Sequence, residues 1–246
     1  GGVAGNVNGC TWTDNVPMTP SRTGKDWASL YMDGTGDYVS LPSNTIGQML
    51  AGQSGITISS WARMPTPGGT VRLVDLVNNG TAAGRLELQS TGTSFVGTFR
   101  GLDGEAAEAH SVTVPFAQNV WSLYTMQADF AGDKVRLYRN GLQFYDAAAT
   151  FDSSALSWNA TNTAALGAAV GGASVNLLGN LGEVRIDGVL TKSQIRDLYF
   201  GREAVTPLIR YSHLEGVGTT ITNSGSIAGA IGTLQANTAW SLEAPW

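Results

Sequence analysis

From Trp27 onward the chain is a succession of short β-branched and aromatic runs separated by Gly, Asn, Asp and Pro. Runs that alternate apolar and polar residues form strands with one face buried. In residues 55–63, Ile56 and Ile58 share one face while Thr57, Ser59 and Trp61 take the other. Leu86 and Leu88 oppose Arg85, Glu87 and Gln89, and Val135 and Leu137 alternate with Lys134, Arg136 and Tyr138. The pattern predicts strands at 28–32, 36–41, 55–63, 70–77, 84–89, 94–100, 109–114, 120–130, 133–139, 142–146, 163–168 and 180–187. Strand-like pieces follow near 207–214 and 217–222. Asn140-Gly141 lies between two runs, and this pair tolerates the positive φ of a type I′ hairpin turn. One segment reads as helix. Thr191 and Gln194 have capping-box spacing, Ile195, Leu198 and Tyr199 share a face, and Gly201 is placed to end it. Many short strands with one short helix near the C-terminal end predict an all-β fold, a two-sheet antiparallel jelly-roll sandwich.

The chain divides by texture into a polar N-terminal arm at 1–26, a strand-rich body at 27–203 and a Gly/Thr/Ser-rich β extension at 204–246. Only 13% of residues are charged and the net charge is −5, so a basic nucleic-acid face is not expected. The single cysteine, Cys10, excludes an intrachain disulfide framework and a Cys-rich zinc site. No apolar run reaches the roughly 20 residues of a membrane-spanning helix, so no membrane partner is expected. The chain starts at Gly1 without a recognisable signal peptide, and is expected to be processed or part of a longer one.

Leu30–Pro42, Ile56–Ala62, Trp121–Met126 with Lys134–Gly141, and Leu177–Ile186 with Leu190–Ile195 and Leu198-Tyr199 stand in that order. Together they resemble the successive motifs of laminin-G-like, concanavalin A-like jelly rolls over about residues 28–200. Trp61 and Trp121 are large apolar side chains suited to a sandwich core, where their indole N–H groups need partners. Glu183 and Arg185, two apart on one strand, are placed to form a salt bridge. Tyr211–Gly225, Gly232-Thr-Leu234 and Trp240 resemble a segment that follows this fold in phage and virus-associated structural proteins. That order implies a non-enzymatic virion protein, capsid-decorating or tail-associated, that forms a homo-oligomer, has other virion proteins as partners and is open to binding carbohydrate or a host surface. The alternative is a secreted, extracellular carbohydrate-binding or adhesion module that meets cell-surface glycans. A polysaccharide hydrolase is the third reading.

Hydrolysis of a glycosidic bond with retention needs two carboxyl groups about 5–5.5 Å apart. The concanavalin A-like hydrolases draw them from a Glu-x-Asp-x-Glu type strand, and this chain has none. Glu183 and Asp187 have Arg185 between them, and Glu105 and Glu108 fall in an expected solvated loop. His110 and His213 have no nucleophile motif beside them. No cofactor is expected except calcium, which the resemblance implies between loops, with Asp75, Asn78, Asn79 and Asp103 as candidate ligands. Residues 164–178, which supply further ligands in such relatives, hold no acidic residue, so an ordinary Asn-rich turn is the competing reading. Sugar binding would use an exposed aromatic with amides around it. Trp158 with Asn159 and Asn162 is the best such cluster, with Trp12 and Tyr145 as lesser candidates. Alternatively, Trp158 covers an open end of the sandwich.

Overall fold

The computed structural model describes residues 29–42, 46–65, 69–78, 84–91, 93–106, 108–113, 118–158, 162–170, 172, 174–202, 205–213 and 217–241. Its strands are β1 (Ser29–Asp33), β2 (Tyr38–Leu41), β3 (Gly55–Arg63), β4 (Thr70–Asn78), β5 (Arg85–Thr91), β6 (Ser94–Arg100), β7 (Glu108–Thr113) and β8 (Ser122–Asp129). They continue as β9 (Lys134–Arg139), β10 (Leu142–Ala148), β11 (Asn162–Leu166), β12 (Leu178–Asp187), β13 (Ile209–Tyr211), β14 (Thr220–Ile221), β15 (Gly232–Gln235) and β16 (Ala239–Ser241). The helices are α1 (Ile46–Leu50) and α2 (Lys192–Tyr199). The expectation of a single helix is therefore corrected. α1 is a five-residue turn, too short to show helical periodicity, and it is held by burying Ile46 and Leu50.

Two antiparallel sheets form a sandwich. The first runs β10-β9-β8-β3-β12-β1-β16, with β13 also on β12; the second runs β14-β15-β2-β11-β4-β5-β6-β7. The alternation that marked the strands also sorts their faces. Ile56, Ile58, Val135, Leu137, Leu181, Val184 and Ile186 of the first sheet meet Val39, Val74, Leu76, Leu86, Leu88, Phe95 and Phe99 of the second. The β9–β10 turn has Asn140 and Gly141 both at positive φ, 52° and 75°, as a type I′ turn requires.

Trp61 is not in that core. It lies on the outer face of the first sheet with Leu123 and Tyr138, covered by Leu190, Ile195 and Leu198, and Trp121 packs at the edge of the same cluster. The period-2 pattern put Trp61 opposite Ile56 and Ile58, and α2 supplies the second apolar layer that this outward face needs. The capping box that starts α2 is formed in both directions, Gln194 N–H to Thr191 Oγ1 at 3.2 Å and Thr191 N–H to Gln194 Oε1 at 2.8 Å.

The C-terminal strands complete both sheets of their own chain. β13 pairs with Val184–Ile186 of β12, beyond the Leu178–Leu181 stretch that β1 occupies. β15 pairs with β2, and β16 with β1. The Asp37 carboxylate, fully buried, accepts N–H bonds from Asp33 at 2.8 Å and Asn237 at 2.7 Å, tying the β1–β2 turn to this segment. Tyr211 is fully buried and donates its hydroxyl to Ala230 O at 2.6 Å. Burial raises its phenol pKa.

Tyr211→Phe leaves the Ala230 carbonyl without that donor in the interior and should cost about 1–2 kcal/mol in denaturant unfolding. A chain ending at Arg202 bares the edges of β1 and β2, and should lose its cooperative melting transition in calorimetry.

Candidate functional site

Two of the residues proposed for metal binding meet at one end of the sandwich. Asn78 closes β4 and its Nδ2 donates to Asp103 Oδ2 at 2.7 Å, while Gly84 N–H donates to Asp103 Oδ1 at 2.6 Å. Asp75 is not with them. It lies on the outer face of the second sheet, where its Oδ2 accepts from Arg72 Nη1 and from Val170 N–H, both at 2.8 Å. Asn79 lies outside the described residues. Calcium needs six to eight oxygen ligands. Here both Asp103 oxygens are taken by N–H donors, and the one orphaned atom is Asn78 Oδ1. No group of three or more His, Cys, Asp or Glu among the described residues is placed to hold a metal. The described residues do not fit the ion.

Trp158 is buried, 6% exposed, and its indole N–H donates to Arg100 O at 3.3 Å. A Cβ on Gly84 would stand 2.5 Å from its Nε1, so the ring lies directly on that glycine. This corrects the expectation of a sugar-stacking surface, because a ring closing the end of the sandwich has no free face. Asn159 and Trp12, like Cys10, fall outside the described residues, and Asn162 opens β11 opposite Asn78. Tyr145 is half-buried, its hydroxyl 2.9 Å from His110 Nδ1.

Three of the acidic groups considered for hydrolysis, Glu105, Glu183 and Asp187, are occupied. Glu105 is buried rather than solvated. Its Oε1 accepts from the N–H groups of Gly101 and Leu102, and its Oε2 from Asp152 N–H at 3.1 Å. Glu108 lies on strand β7 rather than in a loop. Glu183 does not pair with Arg185 as expected. It pairs with Arg210 at 2.7 Å, while Arg185 binds Asp187 at 2.8 and 3.0 Å. The bulge between Leu181 and Val184 and the arrival of β13 bring these partners in. Burial pushes the Asp187 carboxyl above the usual carboxylate range, against the pull of Arg185.

Sequence reasoning missed a cross-strand pair. Asp75 and Glu87 face each other on β4 and β5, flanked by Arg72 (2.8 Å to Asp75, 2.9 Å to Glu87) and by Arg85 (3.3 Å to Glu87). Burial raises the Glu87 pKa; Arg72 opposes the rise and Asp75 adds to it. The register between β4 and β5 creates this cluster, so no spacing along one strand could reveal it.

The second missed feature is a surface groove. Tyr31, Asn180 and Arg63 lie side by side on β1, β12 and β3, in register, on the outer face of the first sheet. With Pro65, Asn119, Leu178 and Gly179 they line a hollow of about 230 Å³. Tyr31 is 44% exposed. Asn180 is buried and donates Nδ2 to Ser29 Oγ at 3.2 Å, and Arg63 Nε donates to Asn119 O at 3.0 Å. Gly179 sits at φ +132°, and a Cβ there would meet Arg63 O at 2.2 Å, so the strands close up only over glycine. The sequence held one signal for this place. Tyr31 is an aromatic at an outward position between the inward Leu30 and Met32.

With this geometry established, the chain belongs to the concanavalin A-like lectin/glucanases superfamily, its laminin G model matching residues 33–196. Among curated protein sequences none matches significantly. A candidate carbohydrate-binding protein from Bacteroides ovatus has a similar structure, with TM-score 0.61 and 14% identity over 90% of this chain and 61% of that one. The CBM40 module of a Ruminococcus gnavus sialidase, solved with α2,3-sialyllactose, gives 0.56 at 14% identity, over 72% of this chain and all of the module. Domains LG4-5 of mouse laminin α1 give 0.52 at 12% identity, over 74% of this chain and 46% of that one. The chain thus spans about three fifths of the first relative. At such identities the likeness is one of fold.

Because the Glu87 pKa is raised on folding, the unfolded chain gives up this proton at lower pH than the folded one. The contribution of Glu87 is therefore fully present below its unfolded pKa and is lost as pH rises through the folded value. The melting temperature of Glu87→Gln relative to wild type should accordingly rise between pH 4 and pH 7. A flat or falling difference would contradict the burial effect.

Proposed function

We propose that the protein is a non-catalytic carbohydrate-binding module, and that its sugar-binding surface is the groove of Tyr31, Arg63 and Asn180. The observation that carries this reading is the half-exposed Tyr31 ring beside a guanidinium and amide groups in a concave site. An aromatic face takes the C–H face of a pyranose, and the flanking polar groups orient its hydroxyls. Structures of similar fold include a candidate carbohydrate-binding protein and a module bound to sialyllactose, which supports a glycan ligand. A binding rather than catalytic role is supported by Glu105, Glu183, Asp187, Asp75 and Glu87, each engaged by backbone N–H groups or by arginine. An extracellular location, with cell-surface glycans as partners, goes with this reading. The virion-assembly reading has no comparable surface behind it, since the segment that motivates it adds its strands to β1, β2 and β12 of its own chain.

A glycan array followed by calorimetry on the best ligand tests the proposal. Tyr31→Ala should weaken binding about tenfold or more, the loss usual for an aromatic anchor, with the melting temperature unchanged. Wild-type affinity in that variant would remove the groove from the binding surface. Silence across the whole array would remove the carbohydrate reading.

A further inference from the structure

A second hollow, of about 290 Å³, lies between α2 and the β9–β10 turn. Its walls are Tyr138, Gly141, Leu142, Gln143, Lys192, Ser193 and Arg196. Three properties set it apart from the Tyr31 groove.

The first is charge. Lys192 and Arg196 stand four residues apart on one side of α2, both exposed, and neither has an acidic partner among the described residues. At least six of the ten arginines among the described residues pair with an acid: Arg72 with Asp75, Arg85 with Glu87, Arg136 with Asp146, Arg185 with Asp187, Arg202 with Asp197 and Arg210 with Glu183. In a protein of net charge −5, two adjacent free cations aimed into one hollow are an exception. Asp146, two strand positions beyond Phe144 on β10, is held by Arg136 and by Gln143 Nε2, and Asp197, which follows Arg196, by Arg202.

The second is an apolar wall. Leu142 is 62% exposed at the rim and gives the hollow an apolar face. The third is neutral hydrogen-bonding capacity: Ser193 is exposed and lines the same hollow. The backbone holds the walls in place. Gly141 approaches α2 so closely that a Cβ would come within 3.0 Å of Arg196 Cα, and the Asn140 side chain and backbone both bond to Leu123.

We infer that this hollow is a binding subsite for a sugar carrying a single anionic group, a carboxylate or a sulfate. The anion sits between Lys192 and Arg196, where ammonium and guanidinium give charge-assisted bonds. The ring's C–H face covers Leu142, and the Ser193 hydroxyl bonds a ring hydroxyl. The subsite does not rest on the Tyr31 groove, and its ligand is set by charge rather than by an aromatic face.

The test is titration of the isotope-labelled protein, followed by NMR, with glucuronic acid, N-acetylglucosamine 6-sulfate, neutral N-acetylglucosamine and inorganic sulfate. One or both acidic sugars should shift the amides of residues 141–143 and 192–196, and the one that binds more tightly names the anion. Neutral sugar should bind at least about tenfold more weakly, and Lys192→Ala with Arg196→Ala together should weaken the acidic ligand about tenfold. Added salt should weaken it as well. Tyr31→Ala should leave these shifts intact, which separates this subsite from the groove. Equal binding of neutral and acidic sugar, shifts that map elsewhere, or full binding by the double variant would each overturn the inference. So would inorganic sulfate binding as tightly as the sulfated sugar with no effect of Leu142→Ser, since the site would then bind the anion alone.

Discussion

The structure depends on burying both faces of β3 at once. Every residue from Gly55 to Ala62 is removed from water. Inward, Ile56 and Ile58 join the layer between the sheets. Outward, the strand carries Thr57, Ser59 and Trp61, and a covered outward face must satisfy its polar atoms as well as its apolar ones. It does so with a ladder across neighbouring strands. Thr57 Oγ1 donates to Gly188 O at 2.8 Å, Gln127 Nε2 bonds Thr57 Oγ1 at 3.0 Å and Leu190 O at 2.8 Å, and Ser59 meets Thr125 at 3.0 Å. These bonds fix the 188–190 link that delivers α2 onto Trp61, where Tyr199 stacks at 5.8 Å between ring centroids. Both surface hollows border this covered patch. One opens where β3 ends at Arg63, and the other lies on the far side of α2.

The low charge of the chain takes on meaning in this setting. With so few ionised groups, the acids are used as internal ties. Asp37 holds a turn to the C-terminal segment, Glu105 gathers three backbone N–H groups, and Glu183 and Asp187 anchor two arginines. A buried carboxylate held this way is poorly placed to shuttle protons or reach a substrate. The surface groups outside these ties include an exposed tyrosine in one hollow and, in the other, two cations with no acidic partner among the described residues.

Local pattern made much of the framework legible. The β3 range was visible in the alternation of its side chains, the β9–β10 turn in Asn140-Gly141, and the start of α2 in Thr191 and Gln194. α1 escaped because one helical turn has no period to detect, and β15 and β16 because three- and four-residue strands carry too little alternation. The candidate site was less visible. Trp158 had the composition of a sugar platform, but whether an indole is exposed depends on what lies over it, and here that is Gly84. Asp75 and Asn78 are neighbours in sequence, yet they project to different places and bond to different partners.

The sequence by itself determined the strand alternation, the turn and cap chemistry, the absence of a single-strand catalytic carboxylate motif, and the family motifs in their order. Each is a property of residues close together along the chain, where backbone geometry converts spacing directly into facing. Only the tertiary structure decided which strands are neighbours. It paired Asp75 with Glu87, brought Arg210 to Glu183, folded the C-terminal segment back onto β1 and β2, and set Tyr31 beside Asn180 and Arg63. The physical reason is register. A sheet joins residues tens to hundreds of positions apart, and a one-residue slip would turn every one of those side chains to the opposite face.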